Sequence, residues 1–240
     1  MRGVNGYVIS SQAANADTAP PPALPALFGP LFEAGRTFTF NGIMRTQPND
    51  PPDAKPTTVK ASTTCSVADV RWLGKYATAV VKCAKTKGGL APEVSVAGLY
   101  VATQTSLWFT EESSVLPNSE ADAARIASGA PYIVAAPKAS ASRTCEANEV
   151  SRDESDNEIK NGSWFGQKAL KIGGVKADAW CAIACSEKFD GMMVDERERC
   201  FAPGYGLVSA TQRSSTTSDG DTSTEWALAK TAAVKAAPAK

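Results

Sequence analysis

The chain has 240 residues, with 25 basic and 25 acidic side chains, no net charge and no histidine. Apolar residues make up 43 % and charged residues 21 %, the balance of an ordinary globular protein long enough to bury its own core. The missing histidine excludes Ser-His-Asp and Cys-His nucleophiles, imidazole bases and mixed Cys/His zinc sites, and without a basic block nothing favours a nucleic-acid partner.

In chain order, the first ten residues carry only fragments of an export signal, read as a mature or differently initiated start. Residues 1–27 end in an Ala/Pro-rich stretch that predicts an extended tether, and residues 28–230 are read as a single β-rich domain. Arg36 to Arg45 alternates aromatic and polar side chains before a Pro/Asp-rich loop at 48–56. A hairpin is predicted around Leu73-Gly74-Lys75, then strands at 94–103 and 106–110, rich in Val, Tyr, Trp and Phe. Ser119-Glu-Ala-Asp-Ala-Ala-Arg-Ile-Ala-Ser-Gly129 predicts the one helix, with Ser119 as N-cap. Strands follow at 132–136, 163–172, 175–189, 192–201, 206–212 and 224–230, broken by Gly173-Gly174, Asp190-Gly191 and Pro203-Gly204. Residues 231–240 read as a flexible tail. The fold class is mainly β: an antiparallel meander forming a curved sheet or half-barrel with one short helix. No run of about 20 apolar residues reads as a membrane-spanning helix.

Six cysteines are present, with no Cys-x-x-Cys spacing for a zinc knuckle or a redox pair. Residues opposed across a hairpin share one index total. Phe189 and Met192, which flank Asp190-Gly191, give the same total as Cys181 and Cys200. Trp72 and Tyr76, which flank the earlier turn, match Cys65 and Cys83 in the same way. Disulfides Cys65–Cys83 and Cys181–Cys200 are therefore predicted, with Cys145 and Cys185 left as a third pair; the alternative is buried free thiols. Disulfides persist in oxidising surroundings, so the predicted location is extracytoplasmic: periplasm, cell surface or secreted.

Cys200-Phe-Ala-Pro-Gly-Tyr-Gly-Leu-Val-Ser209, followed by a polar loop and Trp226-Ala-Leu228, resembles the closing hairpin of TapB-like bacterial cell-envelope domains. The resemblance runs from Leu170 to Trp226 and extends by fold analogy to the half-barrels of Lol-type lipoprotein carriers. It implies an envelope domain with structural glycines and no catalytic group. The density of cysteines departs from that pattern.

Chemistry-bearing motifs are few. The acidic run Arg152 to Glu158 lacks the glycine of a calcium loop and reads as solvated, as does Ser218 to Glu225. Asp195, Glu196 and Glu198 alternate with Arg197 and Arg199, which reads as a solvated strand face. No catalytic residue, metal site or cofactor is expected. Trp108, Phe109, Trp164, Phe165, Trp180 and Tyr205, with Phe201, are candidates to line an apolar concavity; the alternative is that they fill the core. The expectation is a non-enzymatic domain that binds a lipid or other apolar small molecule, or an envelope protein. The competing one is a structural or surface-associated protein with a filled core.

Overall fold

The structure, a computed structural model, describes residues 23–48, 54–84, 86, 96–110, 115–129, 131–138, 147–152, 158–188, 193–216 and 220–232. Among these, twelve strands form one antiparallel sheet. The first half comprises β1 (Thr37–Gln47), β2 (Thr57–Leu73), β3 (Tyr76–Cys83), β4 (Gly98–Ala102), β5 (Ser106–Thr110) and β6 (Ile133–Val134). The second comprises β7 (Ala147–Arg152), β8 (Glu158–Ile172), β9 (Val175–Lys188), β10 (Met193–Ala202), β11 (Gly206–Thr216) and β12 (Gly220–Ala232). A 3₁₀ turn at Gly29–Phe32 precedes β1, and α1 (Glu120–Ile126) lies between β5 and β6. Strand order is β6-β5-β4-β3-β2-β1-β12-β11-β10-β9-β8-β7, so two meanders are joined where the first strand meets the last. The mainly β class, the curled sheet and the single short helix agree with the sequence reading.

Directly opposed residues share a face of a sheet, and the ladder therefore defines rows across it. One row runs Phe165–Ala182–Arg199–Ala210–Trp226–Gly42–Ala61 from β8 to β2. On the same concave face Phe38, Phe40, Tyr100, Phe201 and Trp226 are fully buried, with Phe28 and Leu31 of the N-terminal segment packed among them. Gly42 is glycine for a packing reason. A Cβ there would stand 2.5–2.7 Å from ring carbons of Trp226, directly opposite. The concave face is thus filled with side chains.

The roll of the sheet is fixed by contacts between strands far apart in its order. Tyr132, just before edge strand β6, donates its hydroxyl to the Ala182 carbonyl of β9 at 3.4 Å, and Arg199 of β10 lies over Phe109 of β5. These contacts make the sheet a half-barrel whose open side is bridged by side chains. Strands β9 and β10 are covered on both faces: Cys181, Ala182 and Ile183 are buried in succession, although consecutive strand residues point opposite ways. A smaller cluster, including Tyr76, Val80, Leu99, Val101, Leu116 and Ala123, sits on the outer face under α1. Ser119 caps that helix as predicted, its Oγ accepting from the Asp122 N–H at 3.1 Å.

Cys65–Cys83 and Cys181–Cys200 are disulfides, each joining directly opposed residues with Cα atoms 3.9 Å apart. That approach is tighter than the roughly 4.4–6.8 Å used to predict them. Cys185 is buried and disulfide-bonded, and its predicted pairing with Cys145 lies outside the described residues, as do the Asp190-Gly191 turn and most of the 152–158 acidic run. Buried staples of this kind are consistent with an extracytoplasmic location. No helix among the described residues is long and apolar enough to cross a membrane.

Several expectations are corrected. The hairpin turn is Gly74-Lys75, with Leu73 opposite Tyr76, and not the three residues Leu73-Gly74-Lys75. Gly74 has φ +60°, which a two-residue turn of this kind favours. A register shift between Val67 and Asp69 then restores Cys65 opposite Cys83. Glu198 and Arg199, read as solvated, are 9 % and 4 % exposed, because both faces of β10 are covered. The folded part also begins before residue 28: Leu27 is buried and the Ala26 carbonyl accepts from the Gly204 N–H at 2.8 Å.

Candidate functional site

The six aromatics singled out from sequence do not share one surface. Trp108 is on the outer face of β5, packed under α1, and its indole N–H donates to the Gly129 carbonyl at 2.9 Å. Tyr205 is half-buried at the turn after β10, its N–H bonded to the Ala202 carbonyl at 3.1 Å. Trp180 is on the concave face, opposite Phe201 and half-buried against the core. The backbone of Trp164 pairs with Ile183, and its side chain lies outside the described residues. Phe109 and Phe165 are the two that approach the open side of the half-barrel.

What assembles there is a cluster centred on Tyr132 and Arg199, neither of which stood out as a site residue in the sequence. The Phe109 and Tyr132 rings are 6.4 Å apart, edge-on, and Tyr132 meets Phe201 at the same distance. Arg199 Cζ stands 4.1 Å from the Phe109 centroid and 5.3 Å from that of Tyr132. Its Nη1 donates to the Tyr132 hydroxyl at 3.3 Å. A buried guanidinium is tolerated here because its planar faces meet aromatic quadrupoles. The signal that places it is three-dimensional, since β5 and β10 are brought together only when the sheet rolls.

Beside this cluster lies an opening of about 430 Å³ between segment 131–138 and the sheet face that bears Phe165 and Ala182. Pro131, Tyr132, Val134, Pro137, Phe165 and Ala184 are among the residues that line it. Lys138 is exposed and belongs to its lining. The volume falls within the range of small-molecule sites, roughly 300–1,000 Å³. A second opening, of about 450 Å³, lies at the tips of β1, β11 and β12, beside Arg45, Arg213, Asp221 and Ser223, and its walls are as largely apolar as those of the first. None of the predicted aromatics reaches it.

On the outer face of β10, Lys168 and Glu198 form an ion pair beside the Cys181–Cys200 disulfide. Cys181, Glu198 and Cys200 bring donor atoms within 4.8 Å of one another. Both sulfurs are committed to the disulfide and the carboxylate to Lys168, so the group is not a metal donor set as it stands.

No protein-family model and no curated protein sequence matches the chain. Two solved structures resemble it in fold. One, from Bacteroides fragilis, is of a protein inferred to be exported, with a YmcC-like fold; it is 10 % identical, with 83 % of this chain and 96 % of that chain covered at a TM-score of 0.38. The other, an inferred lipoprotein from Parabacteroides distasonis, is 10 % identical over 88 % of this chain and all of its own, at a TM-score of 0.39. Likeness at that level does not bear on what this chain binds.

Proposed function

We propose that this chain is a non-enzymatic, extracytoplasmic binding domain whose site is the apolar groove beside Tyr132, Phe165 and Ala184. The observation that carries this reading is open apolar space adjoining the aromatic cluster of Phe109, Tyr132 and Phe201. The concave face is occupied by Trp226, Tyr100, Phe38, Phe40 and Phe201, whereas the groove at the open side keeps about 430 Å³ with mostly apolar walls. An apolar site with a few polar groups at its rim suits a small apolar ligand. The disulfides, and the resemblance of the Cys200–Ser209 hairpin to TapB-like envelope domains, support the envelope as its setting.

The test is binding of the neutral dye N-phenyl-1-naphthylamine to the disulfide-intact chain. Saturable fluorescence enhancement that disappears in Ala184→Trp, which places a ring in the groove from an exposed position, supports the site. Absence of enhancement favours a second reading, a structural or surface-associated domain, for which the filled concave core is the specific observation.

A further inference from the structure

We infer that the groove takes a single-chain amphiphile with an anionic head, its chain lying along Tyr132, Phe165 and Ala184 and its head at Lys138. This rests on the reading of the groove as a binding site and adds the ligand's polarity and orientation.

The walls supply no charge. Pro131, Tyr132, Pro137, Phe165, Ala182 and Ala184 present mainly carbon, and the one phenol among them is already engaged by the Ala182 carbonyl and Arg199. Lys138 is the only charged residue in the lining among the described residues. It is exposed, and no carboxylate among the described residues pairs with it. An exposed, unpaired ammonium in the lining of an apolar groove selects an anion attached to an apolar chain, because the chain gains burial while the head gains a counter-ion without leaving water. A cationic head in the same position meets like charge, and a neutral one gains nothing from Lys138.

Titration calorimetry of the disulfide-intact full chain with dodecanoate, dodecyl maltoside and dodecyltrimethylammonium, each below its critical micelle concentration, tests this directly. Dodecanoate is expected to bind at one site, about fivefold or more tighter than the other two. Lys138→Glu should reverse the order between anion and cation, and Ala184→Trp should abolish binding of all three. Equal binding of the three heads, unchanged in Lys138→Glu, overturns the anionic preference and leaves the apolar site standing. Failure of all three together with the neutral dye overturns both. Binding only to mixed phosphatidylcholine and phosphatidylglycerol vesicles, insensitive to Ala184→Trp, overturns the single-chain ligand in favour of a membrane surface.

Discussion

Arg199 Cζ stands 4.1 Å from the centroid of the Phe109 ring, joining β10 to β5 across the open side of the rolled sheet. The two residues are separated by most of the sheet in hydrogen-bonding order, so their contact measures closure. Arg199→Met keeps the stem and removes the charge; it is expected to cost about 2 kcal/mol, the scale of a desolvated cation–π contact. Tyr132→Phe should cost about 1 kcal/mol for its lost hydrogen bonds. A double-mutant cycle by urea unfolding is expected to show coupling of about 0.5 kcal/mol or more, and strict additivity would mean that the two residues do not act as one bridge.

Gly42 leaves room for the Trp226 ring on the neighbouring strand. Gly42→Ala is expected to lose about 1–3 kcal/mol, since the ring must move within a filled core. Thermal unfolding followed by near-ultraviolet circular dichroism reads both the stability and the altered tryptophan environment. An unchanged melting temperature would contradict the packing described.

The disulfides close loops with sequence separations of 18 and 19. Each is expected to stabilise the domain by about 3 kcal/mol relative to the reduced chain. Cys65→Ala/Cys83→Ala and Cys181→Ala/Cys200→Ala, compared by calorimetry with the parent protein, check the two separately. A loss well under about 1 kcal/mol in either would show that the hairpin register holds that face without its staple.

The pair Lys168–Glu198 is lopsided in burial, with side chains 41 % and 11 % exposed. Removing Lys168 leaves a largely buried carboxylate without its cation, whereas removing the carboxylate leaves an ammonium able to reach water. Lys168→Met is therefore expected to destabilise more than Glu198→Gln, measured by chemical denaturation at neutral pH. The reverse order would mean that Glu198 is solvated more than its packing indicates.

Much of this architecture is legible from turns and cysteines, and the reasons for the remainder are local. The Cys181–Cys200 match follows from the register, which holds across β9 and β10 from Asp195 to Phe201. The Cys65–Cys83 match came out right through two offsetting departures, a turn one residue shorter and a register shift at 67–69. Strand β2 reaches back to Thr57, beyond the predicted Cys65–Cys83 pair, and β11 runs to Thr216, past its predicted end at 212, because Ser/Thr-rich stretches such as Thr57–Thr64 pair through the backbone without an apolar alternation to reveal them. The site at the open side, cluster and groove together, is half visible. Phe109 and Phe165 stand out as aromatics, but Arg199 reads as one more charge on an alternating strand, and only the rolled sheet supplies the rings that bury it.

Pairing of the first strand with the last gives the domain a high contact order, because the β1–β12 ladder cannot form until nearly the whole chain is available. Until then β1 presents a bare edge bearing Phe38 and Phe40, the kind of strand that recruits foreign strands. A chain truncated before Gly220 is thus expected to aggregate instead of folding as a smaller half. A circular permutant opened between the two meanders, with the native ends linked, would make that ladder a local hairpin and should fold faster.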